Sequence, residues 1–202
     1  MINNKFISTS RSISYNLKNN AFKNKKCLLT LPNIWLFTDS IKTKNPIELA
    51  KKLPKKTGVV IRDYNSVNKE EIINEIVNIK NRRLLTLLIA GKHKRTKYID
   101  GIHMPVWLKT SNNRRHKIIS MSVHSAKDVR KSIDIKANIV FISPVFSTSS
   151  HMDKSCLGVI RLGLMAKLFK IPVIALGGIN NTNITRLRNL PISGCAGIDV
   201  FL

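Results

Sequence analysis

The chain has 202 residues, 43% of them hydrophobic, and its 35 Lys plus Arg against 11 Asp plus Glu give a net charge of +24. That length holds one domain with a full core, and no apolar run approaches the roughly 20 residues that span a bilayer, so a helical membrane span is excluded. The charge alone suggests a polyanion partner, but the basic residues are spread along the chain and only 6% of residues are aromatic. A drift of surface positions toward Lys and Asn explains the charge better than a nucleic-acid platform does.

Residues 1–27 carry six positive charges and no carboxylate, with Ile and Phe too scattered to bury a face. They read as a basic, flexible N-terminal extension, and residues 28–202 as the folded domain. Three cysteines, Cys27, Cys156 and Cys195, show no CxxC spacing. An odd count of this kind reads as free thiols in a reducing, cytoplasmic setting.

Organised sequence begins at Leu28. A first strand lies near Ile34–Thr38 and ends at Asp39, followed by a short helix over residues 46–53 that opens on proline. Gly58–Arg62 is a second strand. Asn68 can cap a helix whose Ile72, Ile73, Ile76 and Ile79 share one face. LLTLLIAG is a third strand ending at Gly91, and IDGIHMP a short fourth ending at His103; residues 106–116 read as a basic loop or broken helix. KIISMSVHS is the fifth strand, followed by the helix AKDVRKSID. NIVFISP is the sixth, followed by the helix LGVIRLGLMAKLFK. IPVIALGG is the seventh, then NTNITRLRNL as a short helix, and GCAGIDVFL is the eighth.

Strands alternating with helical stretches about every 20–25 residues point to a minimal (β/α)8 TIM barrel, with an open doubly wound sheet as the alternative. A doubly wound sheet usually carries its glycines after the first strand. Here they follow strands seven and eight, where barrels commonly bind phosphate, so the barrel is favoured. The closing helix after strand eight is missing. Either the N-terminal extension covers that gap or the barrel is frayed there.

In a barrel all strand ends meet at one mouth. Arg62 interrupts an apolar strand, and its guanidinium suits a phosphate or a structural pair with Asp63 or Asp39. His103 and His124 follow apolar strands and are each either acid/base groups or hydrogen-bonded mouth histidines. The run SPVFSTSSH carries several hydroxyls and an imidazole, fitting phosphate oxygens or plain turn chemistry. Gly177-Gly178 lets the backbone approach a ligand closely.

From Asn33 to Leu202 the segments IWLFTD, VVIRDY, DGIHM, SVHS, NIVFISPVFSTSSH, IPVIALGGIN and GCAGIDV resemble, in order and spacing, the thiamine phosphate synthase and thiazole tautomerase (TenI-like) superfamily. The resemblance implies a TIM barrel of thiamin biosynthesis. The synthase joins a pyrimidine methyl diphosphate to a thiazole phosphate and releases pyrophosphate, with Mg²⁺ and basic residues stabilising the leaving group.

Of the family's Gln-x-Arg-x-Lys at strand two, which falls on Val60, Arg62 and Tyr64, only the arginine is kept. The Asn-Asp after strand three becomes Ala90-Gly91, and the Gly-Gln-x-Asp after strand four becomes Pro105, Val106, Trp107 and Leu108, so both magnesium carboxylates are absent. Ser122 matches the strand-five serine. The strand-six Thr-x-Thr-Lys reads Thr148, Ser149, Ser150 and His151, Gly178 matches the phosphate-binding glycine, and the last backbone contacts fall at Phe201 and Leu202. The tautomerase histidine falls on Pro144, so His124 or His151 would have to serve as base.

The resemblance therefore implies a synthase-like enzyme acting on a phosphorylated small molecule, with Arg62, His124 and His151 as catalytic candidates. Arg62, Ser122, Thr148, Ser149, Ser150, Gly177, Gly178, Phe201 and Leu202 are the binding candidates. A metal-independent tautomerase and a decayed phosphate-binding barrel are the alternatives, and a homodimer is left open.

Overall fold

A computed structural model of the protein describes residues 4–13, 31–62, 68–91, 97–107, 118–148 and 155–202. Eight parallel strands close into a barrel in sequence order: β1 (Ile34–Phe37), β2 (Gly58–Ile61), β3 (Thr86–Ala90), β4 (Gly101–Met104), β5 (Ile118–Val123), β6 (Ile139–Ile142), β7 (Val173–Leu176) and β8 (Gly194–Gly197). The seam is the β1–β8 pair, with Trp35 opposite Ala196. The barrel expectation is correct, and the open sheet is excluded by that seam. The final strand is shorter than the run GCAGIDVFL suggests, because Asp199–Phe201 turn into a short 3-10 segment.

Side chains alternate across each strand, so every strand divides its residues between two cores. Inside the barrel lie Trp35, Phe37, Val60, Leu88, Ile139 and Phe141, among others. The aromatic rings meet edge to face: Trp35 and Phe141 have centroids 5.3 Å apart, and Phe37 and Phe141 4.9 Å apart. Gly58 is small because Trp35 lies across it; a Cβ there would stand 2.1 Å from the indole ring. The outward set, including Leu36, Val59, Ile61, Leu87 and Val140, packs against the helices.

Those helices are α2 (Pro46–Lys52), α3 (Lys69–Arg83), α4 (Lys127–Asp134) and α5 (Gly158–Ala166). On α3, Ile73 and Ile76 are fully buried and Ile72 and Ile79 pack at the margin, as their spacing requires. Asn68 makes no side-chain cap. Between β7 and β8 the described chain forms only a 3-10 turn, Ile184–Leu187. The stretch expected as a basic loop at 106–116 lies largely outside the described residues. No helix among the described residues is long and apolar enough to cross a membrane.

The N-terminal stretch corrects the expectation of a flexible extension. Asn4–Ile13 form α1, with Phe6 and Ile13 buried at 0% and 1% exposure. The helix packs on β8, β1 and the Ile184–Leu187 turn, and the Phe6 ring meets Phe201 edge to face at 5.5 Å. It thereby covers the outer side of the barrel at the β8–β1 seam. The sequence pattern hid this face because its middle turn uses Thr9 and Ser10, which are small and buried, instead of apolar residues. The rest of the stretch expected to be flexible, and its boundary at residue 28, lie outside the described residues. Phe6→Ala should cost about 3–5 kcal/mol, the usual range for deleting a buried aromatic ring. Denaturant unfolding checks this, and a loss below about 1 kcal/mol would mean that α1 is not part of the core.

Candidate active site

The carboxyl ends of all eight strands share one rim. Period-two alternation decides which residues face inward there. Val60 is interior, so Arg62 continues its face; Ile118 is interior, so Ser120 and Ser122 follow; Phe141 leads to Ser143. Beneath them Phe37 and Phe141 form an apolar floor, each in edge-to-face contact with His103. The mouth is thus polar above and dry below.

Arg62 Nη2 donates to Asp39 Oδ2 at 2.7 Å, linking the ends of β2 and β1. The Arg62 N–H donates to Thr38 Oγ1, which fixes where the side chain starts. Burial alone would raise the Asp39 carboxyl, but the N–H groups of Lys42 and Ile41 and the Arg62 guanidinium together hold it below the usual carboxylate range. Across the seam Lys42 Nζ reaches both carboxylate oxygens of Asp199 at 3.0 Å. Of the two structural partners open to Arg62, Asp39 is the one observed; Asp63 lies outside the described residues.

His103 is almost wholly buried between two hydroxyls, with Nδ1 and Nε2 each 2.9 Å from the Oγ of Ser120 and Ser122 respectively. Ser120 Oγ donates to the Ile102 carbonyl, so it accepts from Nδ1–H, and Nε2 accepts from the Ser122 hydroxyl. Desolvation, with repulsion from Arg62 and His124, lowers the imidazole pKa from 6.5 to about 3. Burial favours the neutral ring, and its Nε2 orients the Ser122 hydroxyl.

The folded pKa of His103 lies below the unfolded value. Between pH 6.5 and about 3 the unfolded chain therefore binds a proton that the folded chain refuses. Stability should fall as pH drops through that window, by about 1.4 kcal/mol per unit. Urea unfolding from pH 6.5 to 5, above the range where carboxylates titrate, isolates this slope, and His103→Gln should flatten it.

His124 is exposed on the loop after β5. Its Nδ1 lies 2.8 Å from the Ser143 carbonyl and donates to it, which leaves Nε2 as the acceptor nitrogen. Its own N–H and that of Ser125 are held by Asp128 Oδ2. The next loop starts with a cis Ser143–Pro144 peptide. It runs alongside the β7 loop, with the N–H of Phe146 donating to the Gly177 carbonyl at 3.0 Å.

Gly177 and Gly178 have φ +97° and +66°, and a Cβ at Gly178 would stand 2.3 Å from the Ser147 carbonyl oxygen. The Gly-Gly pair is thus first a packing device that joins two rim loops. At the end of the described part of the β6 loop, Thr148 Oγ1 is buried without a hydrogen-bond partner, as is Asn181 Oδ1 on the loop after β7.

Ser149, Ser150 and His151 lie outside the described residues. Phe201 and Leu202 are placed differently from Thr148. The Phe201 ring is buried against α1, its N–H donates to the Ile198 carbonyl, and the Leu202 N–H donates to the Asp199 carbonyl, so both N–H groups serve the 3-10 turn. Cys195 is buried, and desolvation pushes its thiol up to about 12, which makes it unreactive.

Magnesium, implied by the resemblance, does not fit the residues present. Ala90-Gly91 and Pro105–Leu108 offer no carboxylate at the ends of β3 and β4. Among the described residues no three His, Cys, Asp or Glu side chains group as metal ligands. The rim carboxylates Asp39 and Asp199 are engaged by Arg62 and Lys42. One functional-looking residue escaped the sequence reading: Lys69, the first residue of α3, is 6% exposed and its Nζ donates to the Ala90 carbonyl at 2.9 Å. A cation at the positive end of a helix dipole was the available signal.

The family described as thiamine monophosphate synthase matches residues 43–201. Among curated proteins, a thiamine-phosphate synthase of Prochlorococcus marinus strain AS9601 is 26% identical over 83% of this chain, which spans 50% of that protein's length. A putative thiamine-phosphate synthase 2 of Aquifex aeolicus is 28% identical over 86% of the chain and is matched over its full length. Among solved structures, thiamine phosphate pyrophosphorylase from Pyrococcus furiosus superposes with a TM-score of 0.69 at 22% identity, covering 84% of this chain and 86% of that one. Its Bacteroides thetaiotaomicron counterpart gives 0.55 at 19% identity over 84% and 83%. At these identities the structures confirm the barrel fold.

Proposed function

Because the chain belongs to the thiamine monophosphate synthase family, we propose that it is a cytoplasmic enzyme of thiamin biosynthesis that joins a pyrimidine methyl diphosphate to a thiazole phosphate. The bond from the pyrimidine methylene carbon to the diphosphate oxygen breaks, the thiazole nitrogen lone pair forms the new C–N bond, and pyrophosphate leaves. Arg62 grips phosphate oxygens at the mouth and stabilises the charge that develops on the leaving group. Ser122, oriented by His103, hydrogen-bonds the substrate. Thr148 meets the second phosphate beside the Gly177-Gly178 loop.

The observation that carries this reading is the convergence on one rim of a part-exposed guanidinium, an oriented serine hydroxyl and the orphaned hydroxyl of Thr148. Incubating the purified protein with both substrates tests it. Thiamin phosphate and pyrophosphate are the expected products; no product and no thiazole phosphate binding would overturn it.

One observation favours a second reading. The Nδ1–H of His124 is fixed on the Ser143 carbonyl, so Nε2 is the basic nitrogen of a rim histidine. That suits proton shuttling in a metal-independent thiazole tautomerase. Isomerisation of a thiazole substrate that is abolished by His124→Ala would select this reading, and thiazole phosphate binding without turnover of either reaction would identify a binding barrel.

A further inference from the structure

The outer wall of the barrel carries a feature that the proposed reaction does not use. On α5, Leu162, Met165 and Ala166 pack into the core, while the opposite side of the helix stays open. There Ile160 is 80% exposed, Leu164 61% and Leu168 54%. The N–H of Leu168 donates to the Met165 carbonyl, so the helical path continues that far. Spaced four apart, the three residues form one aliphatic ridge. Exposed aliphatic side chains scattered singly need no explanation, but three in line do.

Charge points to what covers the ridge. From Ile160 to Lys170 every exposed residue is aliphatic or cationic: the ridge itself, Arg161, Lys167 and Lys170. At 3.6 residues per turn Arg161 and Lys167 fall on its two flanks, where their stems can lie along it while their charges reach outward. None of the three cations is held by a carboxylate among the described residues. The sequence has no Asp or Glu between Asp153 and Asp199. A drift of surface positions toward Lys and Asn would not put Ile and Leu there. A second copy packed ridge to ridge would bring these cations together with nothing to neutralise them. The usual handles of a protein partner, an exposed aromatic ring or an uncharged hydrogen-bonding side chain, are absent from this face. Aliphatic residues flanked by Lys and Arg, without acids, suit the headgroup layer of an anionic bilayer.

We propose that α5 is a peripheral membrane-docking face. Ile160, Leu164 and Leu168 rest in the headgroup layer of an anionic lipid bilayer, and Arg161, Lys167 and Lys170 meet the lipid phosphates. The contact lies on the bilayer and does not cross it. Because α5 returns the chain from the end of β6 to the start of β7, the ridge runs along the wall and leaves the mouth open to small molecules.

Flotation of the full chain with vesicles of phosphatidylglycerol and phosphatidylcholine in equal parts, against phosphatidylcholine alone, tests this. Binding is expected to the first and not to the second. Ile160→Ser, Leu164→Ser and Leu168→Ser together keep the net charge and should weaken binding by about 10-fold or more. Arg161→Gln, Lys167→Gln and Lys170→Gln together should do the same. Lys52→Gln, Lys55→Gln and Arg82→Gln make the same charge change on the opposite wall and should weaken it by less than about 3-fold. No binding to the anionic vesicles, or serine changes without effect, would overturn the proposal. Equal losses from the two glutamine sets would also overturn it, because the net charge of +24 would then explain the binding. So would sedimentation showing a dimer that the serine changes dissolve, since the ridge would then join two copies. Should the serine variant fail to fold, Leu164→Trp decides. Its fluorescence, read as the difference from the parent protein, should be quenched by brominated lipid in the anionic vesicles, and an unquenched signal would overturn the proposal.

Discussion

Arg62→Ala should weaken binding of thiazole phosphate and of pyrophosphate by about 10- to 100-fold and leave the barrel folded. A hydrogen bond to a charged group contributes about 1.5–3 kcal/mol, and truncating the guanidinium removes at least one. The cost to stability is small by comparison. The Arg62 and Asp39 side chains are 30% and 20% exposed, and solvent-screened pairs contribute about 1 kcal/mol or less. Asp39 keeps the N–H groups of Ile41 and Lys42 when the arginine is removed. Calorimetry paired with a thermal melt separates the two effects. A dissociation constant unchanged from the parent protein would remove Arg62 from the site.

Gly178→Ala should be the most damaging single methyl group at the rim. With φ at +66°, alanine pays the left-handed penalty of about 1–2 kcal/mol. Its Cβ would also lie 2.3 Å from the Ser147 carbonyl oxygen and 2.6 Å from that of Phe146, backbone atoms that no rotamer change can clear. The β6 loop has to move, carrying Thr148 with it. A destabilisation of about 2–4 kcal/mol is expected, together with a loss of phosphate-ligand affinity. Gly158→Ala is the matched control: its φ is +70° but a Cβ there meets nothing within 4 Å. Equal effects of the two substitutions would show that backbone strain, and not the loop contact, explains Gly178.

The barrel was legible because each strand is a short apolar run and each helix shows helical spacing, as with Ile73 and Ile76 of α3. Both signals are local. The N-terminal helix was not legible, since its buried face contains Thr9 and Ser10 and becomes a face only against β8 and Phe201. Arg62 was visible as a charge breaking an apolar strand. The role of His103 was not, because the two serines that hold it come from another strand and its neutrality follows from burial. Nothing in the sequence singled out Lys69 among 35 basic residues. Only the fold turns it onto the Ala90 carbonyl. Phe201 and Leu202 were assigned by position in a family pattern, whereas the structure commits their N–H groups to a 3-10 turn.

The central claim is that a phosphate group is held at the mouth of this barrel by Arg62 and the hydroxyls of the β6 loop. A crystal structure of the protein soaked with thiazole phosphate or pyrophosphate tests it most directly. The account predicts a phosphate within hydrogen-bonding distance of Arg62 or of Thr148 Oγ1, over the floor formed by Phe37 and Phe141. A mouth left empty at saturating ligand, or a phosphate bound only to lysines on the outer helices, would contradict it.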